Sequence, residues 1–174
     1  SLNSGYGPYA GARIRLHPNG DYLYSASNGL SPSDFEKYDV RGDTARRLYD
    51  SPYHGDYAFN GDLWFSGDGA RIFARSGNVF RASTSQGQDM VYGGSLAGVS
   101  TVNAVAQVGT SGSVLVLGAP ASASPWYPEQ AAVTEVRSYE PQFLALRGTV
   151  RLPKFVANGT SHQGEGRFLF VKGD

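Results

Sequence analysis

A hairpin that returns at intervals of about fifty residues constrains this chain more than any other feature. Its first copy runs from Ala12-Arg13-Ile14-Arg15-Leu16 through the turn His17-Pro18-Asn19-Gly20 into Asp21-Tyr22-Leu23-Tyr24-Ser25. The second copy runs from Asp62-Leu63-Trp64-Phe65 through Ser66-Gly67-Asp68-Gly69 into Ala70-Arg71-Ile72-Phe73-Ala74. A looser third copy joins Val102–Ala106 to Ser113–Leu117 across Gly109-Thr110-Ser111-Gly112. A fourth opens at Arg167-Phe168-Leu169-Phe170-Val171 and enters its turn at Lys172-Gly173-Asp174.

Asn-Gly and Asp-Gly tolerate positive φ, which type I′ hairpin turns require, so the strands on either side are expected to pair antiparallel. Gly20 and Gly69 lie 49 residues apart; Asp68 and Asp174 lie 106 apart, or 53 per unit. Propeller blades of four strands repeat at roughly 40–50 residues. Each unit should then hold two more strands. Candidates are Phe35–Val40 and Arg47–Tyr49 in the first, Asn78–Ala82 and Met90–Tyr92 in the second, and Thr134–Tyr139 and Phe143–Val150 in the third. Their period-two alternation gives each strand one packed face and one wetter face. No apolar stripe at helical spacing is long enough for a helix, and Asp43–Tyr49 sits where an outer strand belongs.

Composition agrees with a turn-dense β protein, with 23 glycines and 22 aromatic residues. Lys plus Arg and Asp plus Glu are equal at 15 each. That balance argues against nucleic-acid binding and a polybasic membrane contact. No apolar run approaches the roughly 18 residues of a membrane span, so no membrane insertion is expected. The chain contains no cysteine, which excludes disulfides, thiolate metal sites and a cysteine nucleophile. The first residues, Ser1-Leu2-Asn3-Ser4-Gly5, lack the basic and apolar regions of a signal peptide and do not begin with Met, as in a processed or excised piece of a longer chain.

The segments His17–Tyr24 and Phe35–Val40 resemble the blades of bacterial seven-bladed propellers with YVTN-type repeats and, more distantly, WD-repeat propellers. The resemblance spans residues 12–174 at the level of the fold, and the third unit departs from it through a Pro/Ser-rich insertion at 119–128. It implies an all-β propeller fragment: three four-stranded antiparallel blades at about 12–50, 61–97 and 102–152, and the first strand of a fourth at about 166–174. Propellers close into rings to remove sheet edges. Three blades fall short, so self-association or the remainder of a longer chain is expected to complete the ring. A further strand at Tyr6–Tyr9 would bring the count to about fourteen, enough for two chains to close about seven blades.

Candidate chemistry is sparse. His17 sits in a hairpin turn and reads as structural. His162 lies in a polar, glycine-containing stretch and reads as solvated. Loop 51–57, Ser-Pro-Tyr-His-Gly-Asp-Tyr, links the first unit to the second, where propellers gather ligand-binding loops. His54, Asp56 and Tyr57 there could hold a polar ligand or act as a general base, or the loop could simply pack Tyr53 and Tyr57 between blades. Trp126 and Tyr127, flanked by prolines, are either an exposed platform for sugar or peptide or a plug over a blade edge. Asp21, Asp43, Asp56, Asp62, Asp68 and Asp174 are turn residues without calcium-loop spacing, so no metal ligands are assigned. Asn158-Gly159-Thr160 matches a glycosylation acceptor. No paired carboxylates, serine elbow or phosphate loop is present, and no catalytic residue or cofactor is assigned.

Two functions remain. One is a non-catalytic binding or scaffold module of an exported bacterial protein, extracellular or periplasmic, engaging a protein or a glycan through its loops. The alternative is a lactonase-like propeller hydrolase with its site in the central channel. Fold does not decide between them. The shortage of Glu, Asp and His in one cluster favours binding.

Overall fold

The computed structural model describes residues 8, 11–27, 33–109, 112–120 and 132–172. Among the described residues the chain is all-β, with three four-stranded antiparallel sheets, a two-stranded hairpin and one 3-10 turn at Gln86–Gln88. It forms two compact units, residues 1–94 and 95–174.

In the first unit, β1 (Arg13–Leu16), β2 (Tyr22–Ala26), β3 (Phe35–Asp39) and β4 (Arg46–Asp50) pair in chain order. So do β5 (Leu63–Phe65), β6 (Arg71–Ala74), β7 (Asn78–Arg81) and β8 (Tyr92–Ser95). The two sheets share one core. Tyr24, Ala26 and Phe35 from the first meet Leu63, Ile72, Ala74 and Phe80 from the second, with Phe59 and Met90 from the connections. Phe59 packs its ring 4.2 Å from Phe35 and 5.1 Å from Phe80. Period two explains which residues enter: Phe35, Lys37 and Asp39 share one face of β3, and all three are buried.

The first two hairpin turns repeat bond for bond. The His17 amide donates to Tyr22 O and the Gly20 amide to His17 O; 49 residues on, Ser66 donates to Arg71 O and Gly69 to Ser66 O. Asn19 Oδ1 accepts from the Asp21 amide, and Asp68 Oδ1 from the Ala70 amide, by the same device. The turn type differs from expectation. Gly20 and Gly69 have φ of +81° and +72°, but Asn19 and Asp68 are not among the positive-φ residues. A type I′ turn needs two positive φ values; here the glycine alone carries the left-handed step.

In the second unit β9 (Val99–Gln107), β10 (Val114–Pro120), β11 (Glu135–Tyr139) and β12 (Leu146–Arg151) again pair in chain order. The β9–β10 turn repeats the amide bond, Val108 to Ser113 O, but only 42 residues after its counterpart at Ser66, not 53. A bulge lies at Leu117/Gly118, where a Cβ on Gly118 would stand 2.4 Å from Val99 Cγ2. Glycine is required there for close approach. Ala104, Leu117, Ala119 and Val133 form a small core, joined by Val136, Leu152 and Leu169.

Two features of the C-terminal stretch correct the sequence reading. Lys154–Ala157 (β13) and Thr160–Gln163 (β14) form a hairpin that was not anticipated, across Asn158 and Gly159 with φ of +50° and +76°. This is the Asn-Gly turn with two positive φ values expected earlier in the chain. The strand expected at 167–171, the start of a fourth blade at 166–174, belongs to no sheet among the described residues. Strand geometry depends on a hydrogen-bonded neighbour, and residues 167–172 have none there. Leu169 instead packs on the small core, while Phe168 and Phe170 stack with centroids 6.4 Å apart and face solvent.

Candidate functional site

The first unit brings polar side chains together at both ends of its strands. One end holds the β4–β5 link and the residues leading into β3. Asp34 accepts from the Phe35 amide at 2.7 Å and from the Ser51 hydroxyl, and His54 Nδ1 lies 3.2 Å from its second oxygen. Burial pushes the Asp34 carboxyl above its ordinary value, against the pull of Ser51 and the Phe35 amide.

Of the residues singled out in this loop, His54 and Asp56 are exposed and Tyr57 is half-buried. Tyr57 stacks on Tyr92 at 4.2 Å and meets Tyr53 edge-on at 4.7 Å. The Tyr92 amide donates to the Tyr53 hydroxyl at 3.1 Å. Tyr53 and Tyr57 therefore act as packing pieces, and His54 turns to Asp34 rather than to Asp56. Trp126, Tyr127 and Asp174 lie outside the described residues, and of Tyr6–Tyr9 only Pro8 is described. Among the described residues no three His, Cys, Asp or Glu side chains group as metal ligands.

The other end was not foreseen. A cleft of about 250 Å³ opens between the two hairpin turns, lined by His17 and Asn19 from one, Asp68 and Gly69 from the other, and by Tyr22, Tyr24, Lys37, Ser83 and Thr84. Lys37 in this lining is ion-paired behind it: its Nζ stands 2.7 Å from Asp89 Oδ2, with side chains 1% and 0% exposed. Lys37 also donates to Ser83 O at 2.6 Å. Its ammonium lies 4.3, 5.0 and 5.6 Å from the ring centres of Tyr22, Tyr24 and Tyr49.

Asp89 is fully subscribed. It accepts from the hydroxyls of Tyr24 and Tyr49 and from the amides of Ser83 and Met90, besides Lys37. Burial and the Asp89 charge hold both tyrosine hydroxyls protonated well above their ordinary range. Such pairing is what a buried charge requires.

His17 ties the two turns together. The Asn19 amide donates to Nδ1 at 3.2 Å, so Nε2 carries the proton and donates to Gly69 O at 2.8 Å. The ring packs edge-on to Phe65 at 4.9 Å. Gly69 leaves room for it, since a Cβ there would stand 2.7 Å from the imidazole. The structural reading of His17 accounts for every bond the ring makes. Asp68 is held below its ordinary value, first by the Ser66 hydroxyl and then by the Ala70 amide.

Neither a family model nor a curated protein matches the chain.

Period two from Phe35 could have placed Lys37 in the core. Asp89 follows a 3-10 turn and carried no signal.

Proposed function

We propose that the chain is part of a β-propeller and serves as a non-catalytic binding or scaffold module of an exported bacterial protein. The observation that carries the propeller reading is the repeat of chain-order, four-stranded meanders, two of which share a core and superpose turn bonds at a 49-residue offset. Neighbouring blades would come from second copies of the chain or from the remainder of a longer one. Export is inferred from the resemblance to YVTN-type propellers, and secretion of the intact parent protein to the medium or periplasm tests it.

The non-catalytic reading rests on how the ionisable groups are used. Asp89 spends its lone pairs on two tyrosines, a lysine and two amides, and both nitrogens of His17 are committed to backbone groups. A general base needs a free lone pair directed at substrate. These groups hold two sheets together instead.

Purified protein is expected to retain ligands on a glycan or peptide array and to turn over no lactone, ester or glycoside. Hydrolysis that disappears with His54→Ala or Asp34→Asn would replace this reading with the hydrolase one.

A further inference from the structure

We infer that the cleft between the two hairpin turns is a subsite for one neutral sugar ring. This rests on the binding-module reading and gives it a ligand class and a place. Three observations carry it.

First, the cleft has a donor left over in its lining. An ammonium has three N–H donors, and Lys37 gives two of them, to Asp89 and to Ser83 O. The side chain is 1% exposed and lines the cleft, so an acceptor on a bound molecule is the natural third partner.

Second, further groups lining the cleft have polar atoms to spare. The Tyr22 hydroxyl and the Asn19 side-chain amide nitrogen have no partner among the described residues. Asp68 receives Ser66 and Ala70 on Oδ1 and brings a second carboxylate oxygen. Donors and acceptors thus both line a space of about 250 Å³. A polyhydroxylated ring offers both kinds of group at every edge.

Third, charge selects against ions. Lys37 is already neutralised by Asp89, and Asp68 adds a carboxylate, which opposes an anion. The ammonium of Lys37 occupies the tyrosine rings that would otherwise attract a cation. A neutral ligand avoids both penalties.

The test is titration of the full chain with glucose, galactose, mannose and N-acetylglucosamine, one at a time, followed by amide NMR. At least one sugar is expected to shift the amides of Asn19, Gly69 and Ser83, with a dissociation constant of about 1 mM or below. Tyr22→Phe keeps the ring beneath Lys37 and removes only the hydroxyl, so it should fold and weaken binding roughly tenfold. Asn19→Ala should weaken it similarly, and unchanged near-ultraviolet circular dichroism confirms the fold of each variant.

No shift with any sugar overturns the inference, as does acetate, phosphate or methylammonium binding in its place. Sugar binding that survives Tyr22→Phe and Asn19→Ala but is lost in His54→Ala overturns it too, because the site then lies at the other end of the strands. In that last case the chain still binds without catalysis, and only the cleft assignment falls.

Discussion

Lys37 and Asp89 lie in the layer between two sheets, where a charge without a partner is costly. Lys37→Met leaves Asp89 with its hydroxyl and amide donors but no countercharge. It should cost about 3–5 kcal/mol, read from denaturant unfolding. Lys37→Met with Asp89→Asn should recover part of that loss, since no net charge stays buried. A double variant worse than the sum of the single ones would show that the hydrogen bonds matter and the charges do not. The tyrosines around the pair give a second handle. The hydroxyls of Tyr24, Tyr38 and Tyr49 are held above the ordinary value of 10.0, each chiefly by burial. A raised pKa in the folded state contributes stability that is full below pH 10 and lost as pH rises beyond it. Each such tyrosine should then steepen alkaline destabilisation by about 1.4 kcal/mol per pH unit. An ultraviolet titration should find these three of the 11 tyrosines ionising only with unfolding. Reversible ionisation of all 11 near pH 10 in folded protein would refute it. At this scale the sequence was half legible. Period two puts Lys37 on the face of Phe35, but a lysine and an aspartate carry no apolar signal of burial, and Asp89 reaches Lys37 from a loop with no periodicity to read.

At the scale of elements, the hairpin turns show how one glycine serves two purposes. Gly20 and Gly69 occupy equivalent positions at φ of +81° and +72°. A Cβ on Gly20 would meet nothing within 4 Å, while one on Gly69 would strike His17. Gly20→Ala should therefore cost only the left-handed backbone penalty, about 1–2 kcal/mol. Gly69→Ala should cost measurably more, because the imidazole must leave its bond to Gly69 O. His17→Ala in the Gly69→Ala background should remove the excess, so the two substitutions couple in thermal or denaturant unfolding. Equal losses at Gly20 and Gly69 would show that His17 gives way freely. Turn residues marked the hairpins well, because few residues other than glycine accept positive φ. They did not reveal the turn type, which depends on dihedrals one residue earlier. Nor did they secure the hairpin at Asn158-Gly159, whose flanking strands Lys154–Ala157 and Thr160–Gln163 bury nothing and so lack an apolar rhythm.

For the molecule as a whole, the period of about fifty residues was enough to foresee three successive four-stranded sheets. Period alone says nothing about where a strand will find its partner, and there the reading failed at 167–171. In the second unit that segment leaves Phe168 and Phe170 78% and 87% exposed, and Val150 and Val156 are 68% and 73% exposed. Burying one such side chain is worth about 1.5–3 kcal/mol, so several together favour association strongly. If second copies cover these side chains, sedimentation should show a concentration-dependent shift from monomer to a defined oligomer. Phe168→Ser with Phe170→Ser should move that equilibrium toward monomer and leave the near-ultraviolet signal of the buried Tyr24 and Tyr38 unchanged. Both phenylalanines are largely exposed, so their loss should not unfold the chain. A wild-type chain that sediments as monomer at every concentration would rule that association out. A monomeric chain should bind added ANS dye at the exposed phenylalanines, with Phe168→Ser and Phe170→Ser reducing the fluorescence.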